Sequence, residues 1–298
     1  DKGVNGFVYF INAKENGAKE YFKAMIFIYK NHKQYDIIHC FHGLSLIVSY
    51  LVTSKKKILV SFLNSIENES LLKNTFINSL YVSVYKYLSK KNRVYKIFKD
   101  NIPCNLQISK RSYYLPNGVS LSYFNEMSRT KACEALKIDP SYNFVLFVSS
   151  KNLNRVQKRY DIFLRVMHYL ETNYKSYNFK PLILTNEPRE RCVLYFNAAS
   201  LHLMTSDFEG SPNSIKESMA CNTPVVSTDV GNVRKMIEGI GNCFVSNSNE
   251  AEKLGELVIN SLTSEKVDLR HELHKKNLSN EKKTEELIAI YKEILNGE

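Results

Sequence analysis

Apolar positions in this chain fall into short runs separated by longer amphipathic stretches. Eight runs, at 36–40, 57–63, 94–98, 143–149, 180–185, 201–206, 224–228 and 243–246, are mostly β-branched or continuously apolar. Runs of that kind suit strands buried on both faces of a parallel sheet. Between them, apolar residues recur at helical spacing through 14–33, 69–90, 160–174, 211–221 and 251–262. Strands alternating with helices of this length predict βαβ units, and therefore an α/β fold with parallel sheets.

At 298 residues the chain has room for about two domains. A turn signal, Leu115-Pro116-Asn117-Gly118, falls where the alternation pauses. It predicts one domain over 1–118 and a second over 119–280. Residues 281–298 form a last helix, with Leu287, Ile288, Ile290, Ile294 and Leu295 at helical spacing, able to pack back on the first domain. No apolar run approaches the ~20 residues that a bilayer span needs. The opening Asp1-Lys2-Gly3 lacks the pattern of a secretory leader and begins without Met.

Charge divides at the same place. Residues 1–120 carry 18 Lys and Arg against 7 Asp and Glu, whereas residues 121–298 carry 23 of each, so the whole net charge of +11 belongs to the first part. Within it, Lys86, Lys90, Lys91, Arg93, Lys96, Lys99, Lys110 and Arg111 are interleaved with Tyr81, Tyr85, Tyr87, Tyr95 and Phe98. Such a stretch predicts either a solvated basic face or a surface for anionic lipid, an anionic substrate or nucleic acid. Six cysteines, at 40, 104, 133, 192, 221 and 243, make no C-x-x-C spacing. They read as reduced thiols of a cytoplasmic protein. His271 and His274 lack the spacing of a helical zinc site, so no metal is expected.

The segment richest in chemistry runs from Ser206 to Val226. A strand ends in a loop holding Glu209 and Gly210, and a helix follows, with Ser211 expected as its N-cap and Pro212 at its first position. A helix N-terminus after a glycine-containing loop is an anion site. Glu217 sits in the second turn, too far along to serve the helix dipole. A second basic loop, Arg155-Val156-Gln157-Lys158-Arg159, follows the strand at 143–149. Lys suits a phosphate as a point charge, and Arg as a bidentate fork.

Glu209 and Glu217, the small-residue helix and Pro224-Val225-Val226 together resemble the retaining glycosyltransferases of the GT-B fold, specifically glycosyltransferase family 4, the group 1 enzymes. Val230-Gly231, Leu115-Pro116-Asn117-Gly118-Val119 and Asp36-Ile37-Ile38-His39 extend the resemblance over most of the chain. It implies two Rossmann-like domains, the first incomplete on its acceptor side, since the match starts late. It also implies that Arg155 and Lys158 bind the donor diphosphate, with Arg159 open as a replacement for either, and that Glu217 binds the ribose. Glu209 would lie by the transferred sugar, with Gly210, Ser211, Pro212, Asn213 and Ser214 facing sugar and phosphates. His39 and His42 are possible cleft residues. Family members commonly carry a His at the end of the strand that is 57–63 here, where this chain has Leu63.

The implied activity is metal-independent transfer of a sugar from a nucleoside diphosphate sugar to a glycan or lipid-linked glycan, with no cofactor and no nucleic-acid partner. The implied place is the cytoplasm, peripherally at an anionic membrane face. Two rivals stay open. One is a nucleotide-sugar epimerase of similar fold; the other is a non-catalytic, basic protein that binds nucleic acid or membrane.

Overall fold

The computed structural model of the chain describes residues 4–62, 83, 84, 86–100, 111–149 and 152–297. Leu63, most of the helix expected at 69–90, Cys104 and Lys110 lie outside the described residues. The chain divides into two compact units, residues 1–116 with 284–298, and residues 117–283.

The first unit holds α1 (Ala13–Asn16), α2 (Lys19–Asn31), β1 (Ile37–Cys40), α3 (Gly43–Val52), β2 (Lys57–Phe62), β3 (Val94–Phe98) and β4 (Ser112–Tyr114). The strands form one parallel sheet in the order β1-β2-β3-β4. One face packs Ile58, Val60, Val94 and Phe98 with Leu46 of α3. The other packs Leu59, Tyr95 and Ile97 with Ile290 and Ile294 of the last helix. Period-two alternation along β2 and β3 thus feeds two cores at once, which is why these strands read as continuous apolar runs.

Sequence and structure differ here in three ways. The helix expected over 14–33 is two helices, divided at Gly17, whose φ of 72° is left-handed. Strand β4 carries no apolar run, and its place at the sheet edge explains why: burial there is partial. The basic stretch is not one exposed face. Lys96 and Lys99 are buried, and Arg93 binds Tyr50 O and Thr53 Oγ1 while lying 3.8 Å over the Tyr50 ring. Lys86 and Lys90 are exposed.

The second unit holds α4 (Arg129–Leu136), β5 (Asn143–Ser149), α5 (Tyr160–Asn173), β6 (Phe179–Thr185), α6 (Arg189–Ala198), β7 (Leu201–Met204), α7 (Asn213–Ala220), β8 (Val225–Thr228), α8 (Val233–Ile237), β9 (Phe244–Ser246), α9 (Ala251–Thr263) and α10 (Leu269–Lys275). Helix α11 (Asn280–Asn296) follows, most of it in the first unit. The five strands are parallel in the order β6-β5-β7-β8-β9. Val145, Phe147, Leu201, Leu203 and Val226 face α5 and α9. Phe144, Leu146, Met204 and Val225 face Ala132, Phe196, Ile215 and Leu269 on the opposite side. Helices on both faces make this a doubly wound sheet, and chain order reverses between β5 and β7. In open parallel sheets, ligands bind outside the carboxyl ends of the strands that flank such a reversal.

Candidate functional site

The reversal point gathers the chemistry. Strand β5 ends at Ser149, and the loop beyond it carries Arg155 and then a 3-10 turn, Val156–Lys158. Strand β7 was expected to reach Ser206 but stops at Met204. The reason is local: Thr205 Oγ1 donates to the carbonyls of Lys158 and Arg159, and Thr228 Oγ1 donates to Ser206 O. Asp207 N also binds Gln157 O at 2.9 Å. The two loops are thereby fastened to one another.

That fastening brings Lys158 Nζ to 2.7 Å from Glu209 Oε1, with both side chains nearly nine-tenths buried. Ser206 Oγ donates to the same oxygen at 3.1 Å. Arg159 takes a different role from its neighbour. It has a left-handed φ of 50°, forks onto Asp161 and reaches Asp207 at 2.9 Å, so its charge is spent locally. Arg155 is partly exposed in the same loop.

Gly210 and Ser211 lead into α7. Ser211 is not the N-cap: helix α7 begins at Asn213 after Pro212, and no side chain caps it. The Ser211 hydroxyl turns inward instead, accepting from Lys216 Nζ at 2.8 Å and from Asn232 Nδ2 at 3.2 Å. Lys216 is fully buried and also donates to Asn117 O and Ser211 O, which ties the start of α7 to the Asn117 backbone. Pro212 has no N–H, so the amides on offer are those of Gly210, Ser211, Asn213 and Ser214. Those of Asn213, Ser214 and Ile215 find no backbone partner among the described residues, as first-turn amides do not. Gly231 closes the loop from behind. Its φ is +56°, and a Cβ there would lie 2.1 Å from Gly210 O and 2.6 Å from Glu209 O.

Glu217 lies one turn further along α7. It is partly buried, and among the described residues no hydrogen bond or ion pair reaches its carboxylate. Burial raises its pKa, and the charges of Arg189 and Lys216 oppose that rise. The site therefore holds one carboxylate already paired, Glu209, and one with its acceptor capacity unused, Glu217.

The two candidate cleft histidines belong to the first unit. His39, on β1, shares hydrogen bonds through both ring nitrogens, with Tyr291 OH at 2.7 Å and Ser61 Oγ at 2.9 Å. Burial and the charge of Lys99 push its pKa down to about 4. His42 is exposed and caps α3, accepting from Leu44 N. Leu63 lies outside the described residues.

Two participants were not legible in the sequence. Lys216 reads as a surface lysine until nearly every neighbour in α7 proves buried. Arg189, the first residue of α6, faces Glu217 electrostatically from 28 positions earlier in the chain. No local pattern announces it.

Residues 177–284 match the family model described as glycosyl transferases group 1. The matched region contains Glu209 and Glu217; Arg155 and Lys158 precede it. Solved structures resemble the whole chain. A sucrose-phosphate synthase from Thermosynechococcus elongatus is 15% identical with a TM-score of 0.74, over 99% of this chain and 83% of that one. Anabaena HepE, solved in complex with UDP-glucose, is 14% identical with a TM-score of 0.68, over 95% and 85%. An α,α-trehalose 6-phosphate synthase from Burkholderia multivorans is 9% identical with a TM-score of 0.65, over 97% and 78%. The fold is that of the GT-B glycosyltransferases. No curated protein matches the chain. The GT-B likeness comes with two Rossmann-like units, and the family match supports glycosyl transfer as the chemistry of this superfamily.

Proposed function

We propose that the protein is a retaining glycosyltransferase that moves a sugar from a nucleoside diphosphate sugar to a glycan or lipid-linked glycan, without a divalent metal. The observation that carries this reading is the Lys158–Glu209 pair at the β5/β7 reversal, beside the uncapped α7 N-terminus and the unbonded Glu217. Departure of a nucleoside diphosphate breaks the bond from the anomeric carbon to phosphate oxygen and leaves negative charge on that oxygen. Lys158, Arg155 and the amides of Asn213 and Ser214 can meet this charge with fixed positive ends where it develops. Glu217 has the acceptor capacity to take the two ribose hydroxyls. Glu209, held in place by Lys158 and Ser206, is suited to orient the sugar and to stabilise positive charge at its anomeric carbon.

UDP-glucose in the HepE complex supports a nucleotide-sugar donor for this chain too. A cytoplasmic setting suits its five described free thiols. The exposed Lys86 and Lys90 favour a peripheral place at an anionic membrane face.

The test is transfer itself. Purified protein is screened by thermal shift against UDP-, GDP-, ADP- and TDP-sugars, and the stabilising donor is incubated with glycan acceptors in excess EDTA. A ligand at 100 times its Kd raises stability by about 2.7 kcal/mol. A glycosidic product with the donor's anomeric configuration is expected. Activity lost in EDTA and restored by Mg²⁺ would remove the metal-independent mechanism, and release of an altered free sugar would point to epimerisation.

A further inference from the structure

Helix α2 carries large apolar side chains on its outer side. Its inner side is set by Glu20 and Ala24, both buried and one turn apart. On the outer side Phe22, Ile26 and Tyr29 follow one another at i, i+4 and i+7, and all three are exposed, Phe22 by 65% and Tyr29 by 68%. Lys19, Lys23 and Lys30 make the adjoining row, and the exposed Lys33 continues it past the helix end. Phe27 stands one turn beyond Lys23, on the other side of this row, and the rings of Phe7 and Tyr9 stack on it at 5.3 and 4.5 Å. Val8 and Phe10 of the same segment are exposed, Phe10 by 83%. A row of lysines is thus bordered on both sides by exposed apolar side chains.

A surface helix ordinarily keeps its apolar stripe for the core and turns charge to solvent. Single exposed apolar residues need no explanation, but a contiguous group of them marks a contact surface. The lysines narrow what it contacts. Among the described residues only Lys23 has an acid partner, Glu20, so Lys19, Lys30 and Lys33 present uncompensated positive charge. A second copy of the chain would set these lysines against their own counterparts across a two-fold axis, which repels. A bilayer with anionic headgroups accepts both halves of the pattern. Apolar side chains enter the acyl boundary, and lysine stems lie along them with their ammonium groups at headgroup level. The net charge of +11, all of it in this part of the chain, draws the same face to such a surface.

We propose that this face of α2, with residues 7–10 beside it, is the membrane-docking surface, inserting Phe10, Phe22 and Ile26 into an anionic leaflet. This rests on the peripheral membrane place proposed above and says which surface makes the contact. Burial of one such side chain strengthens binding by about tenfold or more. Each lysine near an anionic surface adds about fivefold.

The chain contains no Trp, so a single introduced Trp reports its own surroundings. Phe22→Trp is titrated with vesicles of phosphatidylcholine alone and of phosphatidylcholine mixed with phosphatidylglycerol. Leu164→Trp, at an exposed position on α5 of the second unit, is the control. Emission from Phe22→Trp should shift to the blue on the anionic vesicles and be quenched by brominated acyl chains, with Leu164→Trp unmoved. Phe22→Ser combined with Ile26→Ser should cut partitioning by about a hundredfold. The melting temperature should stay unchanged, because both side chains are already exposed. Lys19→Gln combined with Lys30→Gln should cut partitioning onto anionic vesicles by about twenty- to thirtyfold. Vesicle binding with Phe22→Trp emission still that of a water-exposed ring, or full partitioning by the double serine variant, would overturn the proposal and leave the peripheral place standing. A blue shift that appears without lipid and grows with protein concentration would overturn it in favour of a second copy. A wild type that sediments with neither kind of vesicle would remove the peripheral place and the proposal together.

Discussion

Gly231→Ala tests how tightly the β8–α8 loop fixes the Glu209–Gly210 loop. The new Cβ would meet Gly210 O at 2.1 Å and Glu209 O at 2.6 Å, both backbone atoms, and real Cβ atoms essentially never come within 3.0 Å. Relief requires the Glu209–Gly210 backbone to retreat by roughly 1 Å, and a misplacement of that size costs about a hundredfold in rate. Glu209 would also be drawn from its 2.7 Å contact with Lys158. Alanine at a φ of +56° separately costs about 1–2 kcal/mol of stability. That lowers the melting temperature by roughly 2–8 °C for a unit of this size. Gly239→Ala supplies the control. Its φ is +80°, but nothing lies within 4 Å of the added Cβ, so it carries the backbone cost without the collision. Steady-state kinetics and differential scanning calorimetry on both variants should show the larger melting shift in Gly231→Ala, which carries the collision as well as the backbone cost, and a kcat loss in Gly231→Ala alone. Wild-type kcat in Gly231→Ala, or equal kcat losses in the two variants, would refute the argument that this glycine positions Glu209.

Other perturbations address separate parts of the structure. His202 is buried in β7 against Phe196 with neither ring nitrogen hydrogen-bonded among the described residues, and burial, aided by the Lys158 charge, lowers its pKa to about 3. A base whose pKa falls on folding makes the unfolded chain bind more protons, so its contribution is full above pH 6.5 and drains away from pH 6.5 toward 3. Lowering the pH from 7 to 5 should therefore cost about 2 kcal/mol through this residue. His202→Leu should flatten that limb in urea titrations, and an unchanged limb would remove His202 as its cause. Lys216→Met strands the buried Ser211 O and the half-buried Asn117 O. At about 1–3 kcal/mol for a buried group left unbonded, unfolding should shift by roughly 2–4 kcal/mol, and a shift near zero would contradict the anchoring role. The double variant Lys86→Glu, Lys90→Glu should weaken sedimentation with phosphatidylserine vesicles more at 50 mM than at 500 mM salt. Unchanged sedimentation would leave these lysines as solvated surface.

The fold was legible because a parallel sheet buried on both faces writes itself as continuous apolar runs. Seven of the eight expected strands overlap an observed strand to within two residues at each end, and β2 does so as far as its described end at Phe62. The misses have physical causes. β4 is a half-buried edge strand with no apolar run, and α2 is divided from α1 by a left-handed glycine. The α7 start was misread because Ser-Pro is the usual signature of an N-cap. The signature cannot show that a buried Lys216 and Asn232 would claim the serine hydroxyl first. Glu209 and Glu217 could be singled out because their spacing around a helix start is local. Arg189 could not, since it reaches the site from another βα unit. The basic count from 81 to 111 likewise concealed that Lys96 and Lys99 point into protein, because charge totals carry no orientation.

The division of labour between the two glutamates is the centre of the account, and calorimetry with kinetics tests it most directly. The free nucleoside diphosphate and the intact sugar donor are titrated into Glu217→Ala and Glu209→Ala. Hydrogen bonds to a charged group contribute about 1.5–3 kcal/mol, so Glu217→Ala should weaken both ligands alike, by roughly ten- to a hundredfold. Glu209→Ala frees Lys158 from its partner, and so should leave affinity for the free diphosphate intact or raised while kcat falls. If Glu209→Ala abolishes diphosphate binding while Glu217→Ala leaves it untouched, the roles assigned to the two carboxylates are contradicted.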